Sequence, residues 1–394
     1  MRVLAAVAVA IPLAFGTSRL MAQGNSDVHV PDSSVEQPGD RGHKAHTNHV
    51  ISLRGGRPDR GGPPSGPSGK SPQQIQSTYG LTSGGTGIIA IVDAFDYPTA
   101  LNDFNKFSSQ FGLPQETGNG NVFQVKYATG VRPTGNCGWA QEAALDIEWA
   151  HAMAPSATIM LVETASNSFA DLLQGVDYAE SHGASQISMS WGGSEFSDEV
   201  NYEAAYFDKL NVTYVAASGD TGGKTIYPGT SQYVVSAGGT SLPNNSISSE
   251  TAWSGSGGGP SKYIGRPSFQ SVLPTSIGGV DITSSRAVPD ISFDADPNTG
   301  VAVYDSTRCQ GLSGWMVFGG TSVSSPAIAG IINSANHQKG RNELQYVYVD
   351  GGYDGGSYYS NFHDVTVGSA GSFNAGTHYD LVTGIGSSVG NAGK

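Results

Sequence analysis

Short apolar runs alternate with amphipathic stretches of helical length from Ser71 to the C-terminus. The runs are rich in β-branched residues and bounded by small or polar ones, which predicts buried strands. These strands are expected at residues 88–93, 158–163, 186–190, 212–217 and 233–237. Apolar residues at helical spacing predict helices between them, at residues 100–111, 141–153, 169–181 and 199–210. The alternation predicts an α/β fold with a central, mainly parallel sheet flanked by helices on both faces.

The regions outside this alternation have a different composition. Residues 238–314 are richer in Gly, Ser and Pro, which predicts long loops carried on the same domain. Residues 23–70 consist largely of Pro, Gly, Ser and basic residues with almost no apolar periodicity, which predicts a flexible, solvated leader. Residues 1–22 combine Arg2, an apolar run and small residues, as a secretory signal peptide does. The apolar run is shorter than the roughly 20 residues that span a bilayer.

Composition narrows the possible partners and the compartment. The net charge of −13 predicts repulsion from nucleic acids and from anionic membranes, so neither is expected as a partner. The chain has 55 glycines and 38% hydrophobic residues, which is typical of a compact, loop-rich α/β enzyme. The signal predicts a secreted or periplasmic protein that is free of the membrane after processing. Cys137 and Cys309 could form a disulfide in that compartment or remain as buried thiols.

The motif GGTS occurs twice, and its two contexts differ. The first copy, at residues 238–241, is followed by Leu-Pro-Asn-Asn, a sequence typical of turns. The second copy, at residues 319–322, is followed by a proline suited to a first helical turn and then by apolar residues at helical spacing. Ser322 should therefore lie at the start of a buried helix, where the helix dipole favours developing negative charge. Ser322 is a candidate nucleophile, and a simple helix cap is the alternative.

A serine nucleophile needs a base, and the histidines are poorly placed to supply one. Those in the leader, including His49, fall in predicted disorder, and His151 lies in a helix without a recognisable catalytic setting. Glu142 and Asp146 instead project from one face of the helix at 141–153, and no Lys or Arg lies near them in sequence to offset the repulsion. Two carboxylates at one site retain a proton and provide a general base, whereas a solvated acidic face is the structural alternative.

Asp220 follows the predicted strand at 212–217 in the sequence Ser-Gly-Asp. An acidic side chain at the end of a parallel strand faces the edge of the sheet where ligands bind. If it is protonated, Asp220 could donate a hydrogen bond to an oxyanion. An Asx turn is the alternative interpretation.

Together these residues resemble the sedolisin family of serine-carboxyl peptidases, which share the subtilisin fold. The resemblance covers nearly all of residues 71–394 and rests on EAALD, SWGG, ASGDTG, GGTSVSSP, HDVTVG and YDLVTGIG. It implies a peptidase domain at 71–394 in which Ser322 is the nucleophile and Glu142 the base. Asp146 would orient Glu142 and share its proton, and Asp220 would be the oxyanion donor. The segment Ser190, Trp191 and Gly192 would pair with extended substrate backbone.

The resemblance also implies one structural calcium ion. Its predicted ligands are the side chains of Asp364 and Asp380 and the main-chain carbonyls of Val365, Gly376 and His378. His378 stands where the family pattern has glycine. Only residues 23–70 take the place of the long folded propeptide of typical sedolisins.

The sequence therefore predicts a secreted, monomeric serine endopeptidase that acts at acidic pH on proteins and peptides. The mechanistic alternative is a subtilisin-like triad of Asp93, His151 and Ser322, because residues 91–93 end the first strand with Asp much as in subtilisins. A different class is a non-catalytic secreted binding protein on the same scaffold.

Overall fold

The computed structural model describes residues 27–54, 66–335, 338–350, 352–354 and 356–394, so the predicted signal peptide lies outside it. The strands in chain order are β1 (Val28–His29), β2 (His46–Thr47), β3 (Val50–Ser52), β4 (Ile88–Ala94), β5 (Phe123–Tyr127), β6 (Thr158–Thr164), β7 (Ala184–Met189), β8 (Trp191–Ser194), β9 (Thr213–Ala217), β10 (Ile226–Tyr227), β11 (Val234–Ser241), β12 (Thr251–Ala252), β13 (Gly259–Gly265), β14 (Ser276–Ile277), β15 (Val280–Asp281), β16 (Ser285–Val288), β17 (Ile291–Asp294), β18 (Val301–Cys309), β19 (Leu312–Gly319), β20 (Phe362–His363), β21 (Ser369–Ala370), β22 (Phe373–Asn374) and β23 (Ser387–Ser388). The α-helices are α1 (Pro72–Tyr79), α2 (Ala100–Phe111), α3 (Cys137–Met153), α4 (Phe169–Ser181), α5 (Glu203–Tyr206), α6 (Thr321–Ser334), α7 (Glu343–Gln345) and α8 (Tyr358–Asn361).

The predicted parallel sheet is present at the centre of the fold. Its strands follow the order β20-β23-β17-β11-β9-β7-β4-β6-β5, and the neighbours from β17 to β5 all run parallel. Because parallel strands end at one edge, Asp93 in β4, Ser190 after β7 and Asp220 after β9 are brought to the same side of the sheet.

Helices cover both faces of this sheet, as predicted. In β4, Ile89 and Ile91 pack with α2, α3 and α6, whereas Ala90 and Val92 pack with α4 on the other face. The alternation follows from the two-residue period of a strand, and burial on both faces explains the continuous apolar run. The α/β fold expected from the sequence, with a central, mainly parallel sheet flanked by helices on both faces, is confirmed.

Helix α3 starts at a side-chain cap. The Asn136 side chain accepts hydrogen bonds from the N–H groups of Gly138 and Trp139, at 3.0 and 3.2 Å. A disulfide joins Cys137 to Cys309 and so connects the start of α3 with the β18–β19 hairpin that leads to Ser322. The sequence allowed either a disulfide or two buried thiols at these cysteines, and the structure has the disulfide.

Three sequence-based expectations are wrong. The helix expected at 199–210 is reduced to a 3₁₀ turn (Ser197–Asn201) and the short α5, and the carboxylates of Glu199 and Glu203 accept from the N–H groups of Phe196 and Gln232. Residues 238–314 carry strands from β11 to β19 instead of long loops.

The leader prediction is the third error. Residues 27–54 are folded against the body and form β1, β2 and β3, with Thr47, Asn48, His49, Val50 and Ile51 buried. Their backbone hydrogen bonds go to β8 and β19. The predicted boundary between leader and domain, at residue 71, stays a prediction.

Within the described ranges, no helix combines the length and the apolar character that crossing a bilayer requires.

Candidate active site

Ser322 lies in the first turn of α6, directly after β19 and Gly320. It is fully buried, and its Oγ donates to the Ser190 carbonyl oxygen at 3.2 Å and accepts from the Asn48 N–H at 3.1 Å. Gly320 has a φ of 97°, and a Cβ there would lie 2.2 Å from the Asn48 carbonyl oxygen and 2.5 Å from Asp220 Oδ2. Glycine at this position therefore leaves room for a peptide carbonyl beside Ser322.

The carboxylate pair on α3 is buried, so the alternative of a solvated acidic face is excluded. Glu142 Oε2 lies 2.8 Å from His49 Nδ1 and accepts from the Asn48 N–H at 3.2 Å. Asp146 Oδ1 accepts from Ser190 Oγ at 2.9 Å. The predicted base and the predicted nucleophile therefore both accept from the same Asn48 N–H, at 3.2 Å for Glu142 Oε2 and 3.1 Å for Ser322 Oγ.

A third carboxylate, Asp93, lies with this pair. Burial raises the pKa of Asp93 well above its usual value, and the charges of Glu142 and Glu163 raise it further. Burial, followed by the charges of Asp93 and Glu142, likewise raises the pKa of Asp146. Asp93 and Asp146 therefore retain their protons to a pH at which exposed carboxylates have lost theirs.

Asp220 lies beside Thr321, the residue before Ser322. Its Oδ1 accepts from the Thr321 N–H at 2.7 Å and from Thr321 Oγ1 at 2.8 Å, while its buried Oδ2 has no partner in the described part of the chain. Burial raises the pKa of Asp220 to about 8 despite these hydrogen bonds. The Ser322 N–H donates to the Asn48 carbonyl oxygen at 2.9 Å. Asp220 and the Ser322 amide thus flank one peptide carbonyl, as the donors of an oxyanion hole do.

The model of the subtilase family matches residues 133–351, which is more than half of the chain. The chain belongs to the subtilase family. It is 33% identical to kumamolisin of Bacillus sp. (strain MN-32) over 299 residues, which are 66% of this chain and 51% of kumamolisin. It is 26% identical to sedolisin of Pseudomonas sp. (strain 101) over 377 residues, which are 81% of this chain and 60% of sedolisin.

The solved structure of Pseudomonas sedolisin superposes on this subtilase with a TM-score of 0.67 at 25% identity. The match covers 82% of this chain and 96% of the sedolisin chain in that structure. The subtilase thus spans half to three fifths of the curated relatives' length but nearly all of the solved sedolisin chain. These similarities support its assignment to the sedolisins within the subtilase family.

The segment predicted to pair with substrate backbone, Ser190 to Gly192, includes the start of β8. In this structure β8 pairs with an extended strand of the same chain. Strand β8 lies antiparallel to β2, with Trp191 opposite Thr47 and Gly192 opposite His46. A Cβ on Gly192 would lie 2.7 Å from the Tyr227 carbonyl oxygen, so only glycine fits here. The Trp191 side chain points into the core, where its Nε1 donates to the Val92 carbonyl oxygen at 2.8 Å.

The alternative triad of Asp93, His151 and Ser322 is not assembled in this subtilase. His151 Nε2 lies 2.9 Å from the Pro114 carbonyl oxygen, and its ring packs against Phe104. Burial lowers the pKa of His151 to about 4. His151 is therefore a packed helix residue.

The histidine that does reach the site is His49, which lies in the segment predicted to be a flexible leader. Its ring lies between Glu142 and Phe318, with 5.3 Å between the ring centroids of His49 and Phe318. The signal that could have found it is the apolar, β-branched run that follows at residues 50–53, which interrupts the polar leader.

The predicted calcium ligands surround one loop at residues 376–380. Asp364 Oδ2 accepts from the His378 N–H at 2.9 Å, and Asp380 Oδ2 accepts from the Gly376 N–H at 3.2 Å. Val365 is buried next to Asp364. His378 has a φ of 65°, a backbone conformation that favours glycine. No group of three His, Cys, Asp or Glu side chains suited to a metal occurs in the described ranges.

Proposed function

We propose that this subtilase is a secreted serine endopeptidase that hydrolyses peptide bonds in proteins and peptides and acts at acidic pH. The nucleophile is Ser322, the general base is Glu142, and Asp146 shares the proton of Glu142. Asp220 donates to the oxyanion. The description "serine-carboxyl proteinase" given to the similar Pseudomonas sedolisin supports this assignment.

One observation carries the proposal. The Asn48 carbonyl oxygen accepts the Ser322 N–H at 2.9 Å. The same oxygen and Asp220 Oδ2 both lie close to the position that a Cβ on Gly320 would occupy, at 2.2 and 2.5 Å. The cleft thus already holds a peptide carbonyl where two donors could stabilise the charge of a tetrahedral intermediate. A helix-capping role for Ser322 would not require this arrangement.

The chemistry follows from these positions. Ser322 Oγ attacks the substrate carbonyl carbon while Glu142 removes its proton and passes that proton to the departing amine nitrogen. The protons retained by Asp93 and Asp146 limit the negative charge that builds up around Glu142. Water then hydrolyses the acyl-enzyme by the same steps in reverse order.

Endopeptidase action is favoured by the course of the segment in the cleft. The chain extends on both sides of Asn48, as β2 paired with β8 on one side and β3 paired with β19 on the other. A site that accommodates backbone in both directions fits an internal peptide bond.

The pH dependence of hydrolysis tests this function through Asp220. Since Asp220 has a pKa of about 8, it is protonated and able to donate below that pH, and the rate should fall as the pH rises through about 8. Asp220→Asn keeps a donor at every pH and should lose this alkaline decline, whereas Asp220→Ala should lower kcat by about 10²- to 10³-fold. The measurement is kcat/KM on internally quenched peptides from pH 3 to pH 10, with the cleaved bonds mapped by mass spectrometry.

Cleavage restricted to terminal residues would refute endopeptidase action. An unchanged alkaline decline in Asp220→Asn would remove Asp220 from the oxyanion role. Absence of any cleavage between pH 3 and pH 7 would favour the non-catalytic binding protein.

Secretion is part of the proposal. It is supported by the signal-like residues 1–22 and by the Cys137–Cys309 disulfide, since disulfides persist in oxidising compartments. Peptides and proteins are the expected partners, and the net charge of −13 opposes binding to nucleic acid. We expect a monomer.

We also propose one calcium ion at the 376–380 loop. Asp364 Oδ1 is buried without a partner in the described residues, so a cation would satisfy it. Asp380 is held by the N–H groups of Val382 and Thr383 at 2.8 Å. The carbonyls of Val365, Gly376 and His378 would complete an all-oxygen ligand set, which suits a hard cation.

Removal of calcium should lower the melting temperature by about 5 °C or more. A free calcium concentration of 100 times the Kd would add about 2.7 kcal/mol to the free energy of unfolding. Asp364→Ala should make the melting temperature insensitive to chelator, whereas Asp354→Ala, at an exposed acid nearby, should not. The measurement is thermal unfolding with calcium and with EDTA. Identical melting temperatures for the wild-type protein in both conditions would refute the site.

A further inference from the structure

Strand β18 lies at the edge of its sheet, in the order β1-β3-β19-β18. Buried N–H groups on the free side of an edge strand need acceptors from outside the sheet. Two of those in β18 donate to carboxyl groups. Glu148 Oε2 in α3 accepts from the Tyr304 N–H at 3.0 Å, and Asp103 Oδ2 in α2 accepts from the Ser306 N–H at 3.0 Å. Acidic side chains thus attach this strand to two helices.

A third carboxyl group, that of Asp305 in β18, completes a buried cluster with Asp103 and Glu148. Asp305 Oδ1 accepts from the Thr307 N–H at 2.7 Å. All three carboxyl side chains are buried. Asp103 Oδ2 also accepts, at 2.6 to 3.0 Å, from the hydroxyl groups of Tyr97, Thr99 and Ser306. The donors in the cluster therefore converge on Asp103.

Two carboxyl oxygens of the cluster, Glu148 Oε1 and Asp305 Oδ2, are buried without a hydrogen-bond partner among the described residues. A buried carboxylate that lacks a donor or a cation is strongly unfavourable, whereas a protonated carboxyl group is neutral and can itself donate. None of the ion pairs in the described ranges includes an acid of this cluster. The fold therefore favours protonated Glu148 and Asp305.

The titratable groups that interact with the cluster are all acidic. They come from the loop before α2, from α2 and α3, and from β18: Tyr97, Asp103, Glu148, Tyr304 and Asp305. The cationic residues Lys106 in α2 and Arg308 in β18 are exposed. His151 in α3 packs against Phe104 and bonds the Pro114 carbonyl oxygen instead. No positive charge thus compensates an ionised acid in this cluster.

Burial is the main cause of altered proton affinity at these acids. It raises the pKa of Asp305 to about 7, and the charge of Asp103 contributes to the same effect. Burial also raises the pKa of Glu148 well above its usual value, with further contributions from Asp103 and Asp305. Both protons are therefore held under acidic conditions.

We propose that Asp103, Glu148 and Asp305 form an acid latch, which holds the β18–β19 hairpin against α2 and α3 while its buried protons are in place and releases the hairpin when they are lost. The hairpin continues through Gly320 into Ser322, so its release would disturb the catalytic centre. The latch would restrict the intact cleft to acidic surroundings, whatever reaction the cleft catalyses.

The stability that the latch contributes is greatest in acid. Since folding raises the pKa of Asp305 and Glu148, the folded chain binds their protons more tightly than the unfolded chain does. This contribution is complete below the ordinary carboxyl pKa of about 4. It is lost as the pH rises through about 7, where Asp305 ionises. Asp220 instead affects the rate of the folded enzyme, so measurements of unfolding separate the two effects.

The hairpin is also fixed at two points outside the latch. The Cys137–Cys309 disulfide ties the end of β18 to the start of α3. Near the start of β18, the Ala302 carbonyl oxygen accepts from Trp149 Nε1 at 3.0 Å. The carboxyl contacts lie between these two attachments. Release should therefore be local, and it should reverse when the protein is returned to acid.

The test is hydrogen–deuterium exchange, read by mass spectrometry, on full-length Ser322→Ala protein, which cannot digest itself. Protection factors are corrected for the intrinsic effect of pH, and those of residues 301–319 are divided by those of β4 to remove global unfolding. We expect this ratio to fall at least about tenfold between pH 4 and pH 8. With Glu148→Gln and Asp305→Asn added, it should stay within about threefold, because the amides are neutral at both pH values.

Glu343→Gln in the same parent is the matched control. Glu343 is buried in α7 with both carboxyl oxygens unpartnered among the described residues, and burial raises its pKa to about 8. Its replacement removes a buried acid without touching the latch, so the hairpin should still lose protection at pH 8. If the double variant fails to fold, the single Asp305→Asn variant gives the same comparison.

Thermal unfolding supplies a second readout. The two amide substitutions should raise the melting temperature of the parent by at least about 5 °C at pH 8 and change it by less than about 2 °C at pH 4. A melting temperature that is no higher than the parent's at pH 8 would contradict the latch.

Three exchange results would overturn the proposal. The first is an equal loss of protection in the hairpin and in β4 of the parent, and the second is the same hairpin loss in the amide variant as in the parent. The third is full restoration of hairpin protection by Glu343→Gln. Because the parent has no nucleophile, none of these results depends on the peptidase function.

Discussion

Replacement of Ser322 by alanine will lower kcat for peptide hydrolysis by about 10⁶-fold, as loss of the nucleophile does in enzymes with a serine triad. The hydroxyl is buried at the start of α6 beside a peptide carbonyl, and the neighbouring Ser190 hydroxyl donates to Asp146. The measurement is kcat and KM on an internally quenched peptide at acidic pH. Substrate binding should be retained, since the pairing strands β8 and β19 are unchanged.

Ser324→Ala is the matched control. Ser324 lies two residues further along α6, is equally buried, and its Oγ has no partner in the described residues. Its removal should change kcat by less than about twofold while perturbing the same helix. Equal losses in the two variants would mean that the loss reflects packing of α6 and not nucleophilic chemistry.

The central sheet could be predicted from the sequence because its strands are buried on both faces. Residues 88–94, 158–164 and 213–217 read as continuous apolar runs, and the structure places them within one or two residues of the predicted bounds. The same local signal misled at 199–210, where Glu199 and Glu203 bind loop N–H groups instead of facing solvent.

Composition concealed the strands between residues 238 and 314. Gly239 lies in β11, where a Cβ would meet Trp253 and Ala295 at 2.8 and 2.9 Å, so the small residues reflect close packing and not loops. The turn of the β18–β19 hairpin has positive φ at both Gln310 and Gly311, which local sequence signals only weakly.

The proposed catalytic residues Glu142, Asp146, Asp220 and Ser322 could be selected from the sequence because each has a local signature. Two carboxylates share a helix face, and the others lie at a strand end and a helix start. The place of residues 46–52 in the cleft could not be found this way, because they are held by backbone hydrogen bonds to β8 and β19 that any sequence can make. Asp93 joins the acidic group only through the tertiary fold.

Glu142→Gln should lower kcat by about 10⁴-fold. The amide is nearly isosteric but cannot accept the Ser322 proton. Because Asp146 and Asp93 remain protonated around an uncharged neighbour, folding should be maintained, which thermal unfolding will check.

The most direct test is a comparison of kcat/KM for Glu142→Gln and His151→Ala on the same internally quenched peptide at acidic pH. If carboxylates handle the proton, Glu142→Gln loses about 10⁴-fold and His151→Ala stays within about threefold of the wild type, since His151 is bound to Pro114 away from the site. A His151→Ala protein that folds but is inactive, or a Glu142→Gln protein that cleaves at the wild-type rate, would contradict the account.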